Sequence, residues 1–258
     1  MDRIDHMNSK KPKALVIGGC GGLGTEVCRT LGQKGFDIAF TYHLSRKKAD
    51  DMIVEFRDQK ISATAFHMDL NDPEEVKQII RQAHGSLKTM DALVIASGLA
   101  TGREAVAQVP KYLTITVQDF DRLMNINVRG VFFACQEAAR IMVEAGAGRI
   151  VIVGSIDGVK PVPAPVDYAC SKGALWGMTQ ALSKELGESN ILVNMVAPGI
   201  LEGGVATLLS DDLMAEYLKH SSLRRTGKFS EVANVIAFLA GPWNTYVTGQ
   251  AVILDGGL

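Results

Sequence analysis

The sequence lacks the features that would direct it to a membrane, to a secretory route or to nucleic acid. Its 258 residues carry a formal net charge of −1, which leaves no basic excess for binding nucleic acid. No apolar run reaches the roughly 20 residues that span a bilayer. The first residues, MDRIDHMNSKKPK, are polar and contain no apolar signal core. We therefore expect residues 1–12 to form a flexible tail, and a cytoplasmic protein without membrane or nucleic-acid partners.

Cysteine is scarce, and its spacing excludes a metal centre or a redox pair. Cys20, Cys28, Cys135 and Cys170 form no C-x-x-C pair and have no histidine at metal-ligand spacing. Each lies in an apolar or glycine-rich stretch, so we expect four buried free thiols. Such thiols are typical of a reducing compartment.

What the sequence does contain is an alternation of apolar strands and amphipathic helices. Strands are predicted at 14–18, 37–42, 63–68, 91–98, 149–155, 191–196 and 250–255. Helices are predicted after the first glycines, at 45–58, from residue 72, and at 118–144, 166–187 and 230–240. The strands are continuous apolar runs, as in a parallel sheet covered on both faces. We therefore predict one α/β domain over residues 13–258, with a doubly wound, mostly parallel seven-stranded Rossmann-type sheet and helices on both faces.

A glycine-rich stretch, VIGGCGGLG, lies where the first strand passes into the first helix. In that position backbone N–H groups and the helix N-terminus face an anionic pyrophosphate, which predicts dinucleotide binding. Two spacings fit the same letters. One is Gly19-x-Gly21-x-x-Gly24, and the other is Gly18-x-x-x-Gly22-x-Gly24.

The end of the second strand bears on the choice of dinucleotide. A carboxylate there would bind a ribose 2′-hydroxyl, but the strand ends in Tyr42-His43 and the next carboxylate is Asp50. A 2′-phosphate would meet His43, Ser45, Arg46 and a helix N-terminus. This pattern favours NADP(H), with NAD(H) as the alternative and a solvated first turn as the other explanation of Arg46.

Tyr168 and Lys172 are spaced to share one face of the helix that follows the fifth strand. A free phenol titrates near pH ~10, and a nearby ammonium lowers its pKa toward neutrality. Tyr168 then becomes a usable general acid or base. Ser155, at the end of the fifth strand, would present its hydroxyl at the sheet edge where such folds bind ligands, and could donate to a carbonyl oxygen.

Together these motifs resemble the short-chain dehydrogenase/reductase family over about residues 13–258. The matching motifs, in order, are Gly18-x-x-x-Gly22-x-Gly24, Asp69, Asn127 in MNINVRG, Ser155, Tyr168 with Lys172, Pro198-Gly199 and the closing TGQAVILDGG.

The resemblance implies a role for each catalytic residue. Tyr168 would donate or accept the proton, Lys172 would lower its pKa and bind the nicotinamide ribose, and Ser155 would hold the substrate oxygen. Asn127 would hold a water in a proton relay to the lysine; the alternative is a polar residue at a kink. The implied cofactor contacts are Gly18, Cys20, Gly21, Gly22, Leu23 and Gly24 in the loop, Tyr42, His43, Ser45 and Arg46 after the second strand, Asp69 and Leu70 at the adenine, Ala96, Ser97 and Gly98 beneath the adenosine, Tyr168 and Lys172, and Pro198, Gly199 and Ile200 at the nicotinamide carboxamide.

The sequence departs from the family pattern at several places. Residues 95–98 read IASG where the family carries NNAG, so the asparagine bonds must be replaced or lost. The threonine usual after Pro-Gly is missing, and the segment 99–116 is long. We expect a substrate lid at about 200–225, hinged at Gly203 and Gly204. Its apolar face would cover a hydrophobic substrate or pack on the chain's own core, and comprises Leu208, Leu209, Leu213, Met214, Tyr217 and Leu218.

Within the family the chain is similar to bacterial 3-oxoacyl-[acyl-carrier-protein] reductases, which implies NADPH-dependent reduction of a 3-oxoacyl-type or other hydrophobic carbonyl substrate. An NAD-dependent alcohol dehydrogenase and a catalytically silent nucleotide-binding sensor or scaffold are the alternatives. Docking of a carrier-tethered substrate is disfavoured, because Gly146 and Ser189 stand where those relatives carry arginines. Arg103, Arg129 or Lys111 could substitute for them. The resemblance also implies a homotetramer or homodimer.

Overall fold

The computed structural model describes residues 11–99, 112–203 and 210–258, apart from the side chain of Leu213. All seven strands form one parallel sheet in the order β3-β2-β1-β4-β5-β6-β7. Their bounds are Lys13–Ile17 for β1, Asp37–Tyr42 for β2, Ala63–His67 for β3, Ala92–Ile95 for β4, Gly148–Val153 for β5, Ile191–Pro198 for β6 and Ala251–Leu254 for β7. The predicted doubly wound fold is confirmed, and the sheet is parallel throughout.

Helices cover both faces of the sheet. The helices are α1 (Gly22–Gln33), α2 (Arg46–Asp58), α3 (Pro73–Leu87), α4 (Val117–Met124), α5 (Val131–Ala145), α6 (Val166–Glu185), α7 (Asp211–His220) and α8 (Phe229–Ala240). Buried side chains of α1, α2 and α8 form the core on one face, and those of α3, α5 and α6 form the core on the other. Because each strand is buried on both faces, its apolar residues run continuously instead of alternating.

The start of α3 shows how local sequence sets a helix boundary. The carboxylate of Asp72 accepts hydrogen bonds from the N–H groups of Glu74 and Glu75, at 3.0 and 3.2 Å. Pro73 follows the cap at the first helical position, where its missing N–H costs nothing. The predicted start of this helix is thus correct.

The predicted continuous helix over 118–144 is wrong in one respect. Residues Asn125–Gly130 form a π-helical turn between α4 and α5. A π-turn is a local widening of the helix that often occurs at functional sites. Its buried residues are Asn127 and Gly130, and a Cβ on Gly130 would lie within 2.4 Å of the Leu70 carbonyl oxygen. Close packing against the loop after β3 thus requires glycine at the end of this turn.

The expectation of four buried thiols is also wrong in part. All four cysteines are free, but Cys170 is exposed and Cys20 is half-buried. Helix α6 buries Asp167, Ser171 and Leu175, which share one face, and Cys170 lies away from that face.

Three of the predicted segments fall partly or wholly outside the described residues. These are the tail up to residue 10, the long segment at 100–111 with Arg103 and Lys111, and lid residues 204–209 with Gly204, Leu208 and Leu209. The described part of the lid contains helix α7, which the sequence analysis did not predict. Over the described ranges, no helix is long and apolar enough to cross a membrane.

Candidate active site

The strand order reverses between β1 and β4, and a large cavity opens at the carboxyl ends of these strands. Ligands of open α/β sheets bind at such a switch point. The cavity has a volume of about 790 Å³. Of the residues predicted to bind the cofactor, it is lined by Gly18, Cys20, Gly21, Tyr42, His43, Ser45, Asp69, Leu70, Ser97 and Gly98. The other predicted cofactor contacts do not line it: Gly22, Leu23, Gly24, Arg46, Ala96, Tyr168, Lys172 and the residues at 198–200.

The geometry of the loop between β1 and α1 favours the spacing Gly18, Gly22, Gly24. Gly18 has φ +81°, and a Cβ there would lie 2.6 Å from the Cβ of Ser97. A Cβ on Gly24 would lie 2.1 Å from the Gly18 carbonyl oxygen, and one on Gly22 would lie 2.9 Å from the ring of Phe229. Gly18 and Gly24 therefore exclude a larger residue, whereas one at Gly22 would have to displace the Phe229 ring. Gly19 is enclosed as well, since a Cβ there would lie 2.6 Å from the Cβ of Phe40. Gly21, in contrast, has a nearest neighbour at 3.3 Å.

The loop and the segment after β4 fit a dinucleotide. Gly21 precedes α1 without a side-chain cap, so N–H groups at this helix N-terminus face the loop region and can bind phosphate. The hydroxyl oxygen of Ser97 is buried without a hydrogen-bond partner among the described residues. Since buried polar groups are normally paired, a ribose or phosphate oxygen bound here would satisfy it. The residues present thus suit the predicted cofactor.

The cations after β2 are arranged differently from the prediction. The guanidinium of Arg46 lies 3.5 Å from Asp50 on its own helix and does not reach the cavity. Lys48 instead reaches back to the glycine loop, where its Nζ donates to the Cys20 carbonyl oxygen at 2.9 Å. Nε2 of His43 lies 3.8 Å from the Asp69 carboxylate. A cation therefore does lie beside the loop, and Lys48 supplies it, although Lys48, like Arg46, does not line the cavity.

Ser155 lies two residues after the end of β5 and is buried beside a carboxylate. Its hydroxyl donates to Oδ2 of Asp157 at 2.9 Å and accepts from the Asp157 N–H at 3.3 Å. Burial raises the pKa of Asp157, although the Ser155 hydroxyl and the Lys172 ammonium partly oppose this rise. Asp157 was not among the predicted site residues.

Tyr168 and Lys172 lie together on α6, as predicted from their spacing. The Nζ of Lys172 is 5.4 Å from the centroid of the Tyr168 ring and 3.4 Å from the Val153 carbonyl oxygen. Burial lowers the pKa of Lys172 to about 8, and the Asp157 carboxylate opposes this effect.

The expected lowering of the Tyr168 pKa is wrong. Burial of the phenol, followed by the negative charge of Asp157, raises the pKa of Tyr168 above its ordinary value, and the Ser155 hydroxyl opposes this only in part. Desolvation disfavours the charged phenolate, and here it exceeds the opposing hydrogen bond from Ser155. The phenol is therefore protonated at neutral pH.

Asn127 projects from the π-turn and connects it to the segment after β4. Its Nδ2 donates to the Leu99 carbonyl at 2.9 Å and to the Ser171 hydroxyl at 3.1 Å, while its Oδ1 accepts from the Leu99 N–H at 2.7 Å. A Cβ on Gly98 would lie 3.3 Å from Nζ of Lys172 and 3.5 Å from Oδ1 of Asn127. Asn127 thus holds the segment in which the family's usual asparagines are missing.

The Pro198-Gly199-Ile200 segment leaves β6 and meets the lid helix. The N–H of Ile200, predicted to face the nicotinamide carboxamide, donates to the Tyr217 hydroxyl at 3.1 Å. A Cβ on Gly199 would lie 2.5 Å from the same hydroxyl oxygen. Tyr217 on α7 therefore occupies the hydrogen-bonding direction that a carboxamide would need.

Fold and side-chain arrangement together define a class of nucleotide-dependent oxidoreductases, and the comparisons with known proteins agree. A family model described as Enoyl-(Acyl carrier protein) reductase matches residues 18–258. The 3-oxoacyl-[acyl-carrier-protein] reductase of Staphylococcus aureus is 29% identical over 245 residues, which cover 95% of this chain and 97% of that protein.

Solved structures give the same result. A short-chain dehydrogenase/reductase of Serratia marcescens is 32% identical with a TM-score of 0.87, and the match covers 96% of this chain and 98% of that one. A blue fluorescent protein from a metagenomic library, solved in complex with NADPH, is 35% identical with a TM-score of 0.85, over 97% and 98% of the two chains.

The chain belongs to the short-chain dehydrogenase/reductase family. It is an NAD(P)-dependent oxidoreductase that acts on CH–OH and C=O groups.

Proposed function

We propose that this protein reduces a ketone with NADPH, and that its substrate is a 3-oxoacyl-type or other hydrophobic carbonyl compound. The observation that carries the proposal is the convergence of Ser155, Tyr168, Lys172 and Asn127 at the carboxyl edge of the sheet. They do not line the large cavity themselves, but their neighbours Gly98, Ile126 and Asp167 do. The relatives described as 3-oxoacyl-[acyl-carrier-protein] reductases support the substrate class.

In this proposal Ser155 donates a hydrogen bond to the carbonyl oxygen, and Tyr168 gives its proton to that oxygen as negative charge develops on it. Lys172 and Asn127 hold the phenol and the segment at Gly98 in position. The nicotinamide, when bound, supplies the hydride. Burial alone disfavours the phenolate, and a protonated phenol is the form that reduction requires.

NADPH is favoured by the charges near the expected 2′-phosphate. The ammonium of Lys48 lies on the glycine loop, and His43 and Ser45 line the adjoining cavity. Relatives that prefer NADPH often carry a basic residue where this chain has Gly21, and Lys48 brings a cation to that loop from α2. The domain at 13–258, the lid at about 200–225 and a homotetramer or homodimer remain part of the proposal.

The decisive experiment measures ketone-dependent NADPH oxidation by wild-type protein and by Tyr168→Phe. Loss of a general acid lowers kcat by roughly 10²–10⁴-fold, while NADPH binding, followed by fluorescence, stays within a few-fold. Tyr246→Phe is the matched control, since that tyrosine is 94% exposed and its hydroxyl should not affect turnover. Full activity of Tyr168→Phe would refute the mechanism. A wild-type protein that binds NADPH but reduces no carbonyl compound would favour the sensor or scaffold.

A further inference from the structure

The carboxylate of Asp157 lies closer to the proposed substrate-binding hydroxyl than any other charged group that the structure describes there. The Ser155 hydroxyl carries a single hydrogen, and in the structure that hydrogen points to Oδ2 of Asp157 at 2.9 Å. The Asp157 N–H approaches the serine oxygen from the other side at 3.3 Å. Asp157, two positions further along the chain, thus takes the hydrogen of Ser155 in this arrangement, and the Tyr168 phenol lies within reach of the same hydroxyl.

This arrangement conflicts with the task assigned to Ser155 above. A hydroxyl that donates to a carboxylate cannot donate to a substrate carbonyl at the same time, since it has one hydrogen. Hydrogen bonds to charged groups are also stronger than those between neutral groups. A substrate therefore has to compete with ionised Asp157 for the serine hydrogen.

A protonated Asp157 removes the competition. The neutral carboxyl group becomes a donor toward the serine oxygen, and the serine hydrogen is then free to turn to the substrate. We propose that Asp157 is a positioning residue of this site, which withholds the Ser155 hydrogen when it is ionised and directs it to the substrate carbonyl when it is protonated. This inference rests on the proposed ketone reduction.

Titratable groups on two helices lie around Asp157 and its turn. Its short turn, residues 156–158, packs against α6, which contributes the phenol of Tyr168 and the ammonium of Lys172. Helix α7 contributes the phenol of Tyr217. Burial is the largest cause of the raised pKa of Tyr217, and the charge of Asp157 adds to it. Burial moves the pKa of Asp157 up from the ordinary 3.8, against the opposing effects of Ser155 and Lys172.

The test is the pH dependence of kcat/KM for ketone reduction in wild-type protein and in Asp157→Asn. In the wild type, kcat/KM should fall by roughly tenfold or more as Asp157 ionises, the equivalent of one hydrogen bond to a charged group, and the change should appear mainly in KM. Asp157→Asn cannot ionise, so this fall of kcat/KM with rising pH should be absent, and kcat/KM at neutral pH should equal or exceed that of the wild type. Asp157→Glu keeps a carboxylate and should keep the fall.

Asp255→Asn is the matched control, because this carboxylate pairs with Lys160 at 2.5 Å and does not contact Ser155. Asp255→Asn should retain the fall of kcat/KM with rising pH. The proposal would be overturned if the pH profile of kcat/KM for Asp157→Asn superimposed on that of the wild type. It would also be overturned if kcat/KM of Asp157→Asn were lower by the same factor at every pH and still fell with rising pH. A wild type that reduces no carbonyl compound at any pH would instead refute the proposed function.

A second measurement needs no turnover and keeps the proposal testable in that case. Carbon-13 NMR of the aspartate carboxyl groups can follow the titration of Asp157 in wild-type protein and in Ser155→Ala, with Asp157→Asn to assign the signal. Because the serine hydrogen bond stabilises the ionised carboxylate, its removal should raise the pKa of Asp157. An unchanged titration would show that the two groups do not interact, and would overturn the inference.

Discussion

Replacing Lys172 with methionine should make the protein more stable while removing its activity. Burial lowers the pKa of Lys172 from 10.5 to about 8, so the folded protein holds the charged amine less readily than the unfolded chain does. At ~1.4 kcal/mol per pKa unit, this difference corresponds to about 3 kcal/mol at pH 7. Methionine has a similar length and carries no charge, so the substitution removes this penalty.

One contact opposes the gain. The Lys172 ammonium donates to the Val153 carbonyl oxygen at 3.4 Å, a long hydrogen bond that we take as ~1 kcal/mol. The net stabilisation is then about 2 kcal/mol, or a rise in Tm of about 4–8 °C for a chain of this size. The assay is thermal unfolding of both proteins at equal concentration, at pH 7 and at pH 10.

The pH dependence provides the refutation. A group whose pKa is lowered by folding destabilises the folded state fully below the folded pKa, here about 8, and the penalty disappears as the pH rises toward 10.5. The advantage of methionine should therefore shrink at pH 10. An equal advantage at both pH values, or a less stable Lys172→Met, would contradict the reasoning. Lys160→Met is the control and should destabilise, because it leaves the buried Asp255 carboxylate without its 2.5 Å partner.

Two further predictions concern cofactor binding. Lys48→Ala removes the cation on the glycine loop and should raise the Kd for NADPH by roughly tenfold, with little effect on the Kd for NADH. The control is Lys47→Ala, which should change neither Kd, because the Lys47 ammonium pairs with Asp51 at 3.0 Å. An equal loss of affinity for both nucleotides would count against a contact between Lys48 and the 2′-phosphate. Tyr217→Phe frees the N–H of Ile200 and should tighten NADPH binding roughly fivefold, the value of one hydrogen bond; weaker binding, measured by the same fluorescence titration, would mean that this hydroxyl helps to hold the cofactor.

The strands and most helices could be predicted because their signals are local. A parallel strand buried on both faces is a continuous apolar run, and a cap such as Asp72 lies next to the helix that it starts. The π-turn could not be predicted, because a widened turn at Asn127 has nearly the same spacing of apolar residues as an ordinary helix. Helix α7 was missed because its apolar residues also suited an irregular lid.

The candidate site was predictable where its chemistry follows from spacing along one element, as for Tyr168 and Lys172 on α6. Contacts between elements were not. Lys48 is 28 positions from Cys20 along the chain, and only the packing of α2 against the loop brings them together. Asp157 is close to Ser155 in sequence, but its influence on Tyr168 depends on how α6 packs against the turn at 156–158.

The π-turn at residues 125–130 sets the direction in which the Asn127 side chain points into the site. Each residue of an α-helix advances the direction of its side chains by about 100°, and a π-turn advances it by less, so an ordinary α-helical turn here would change the direction of Asn127 relative to Val131. The amide that binds both main-chain groups of Leu99 would then face another direction. Both ends of the wide turn are fixed by packing, because Leu123 and Val131 are buried. A change in the width of this turn would therefore move Asn127, and with it the segment at Leu99 that Asn127 holds.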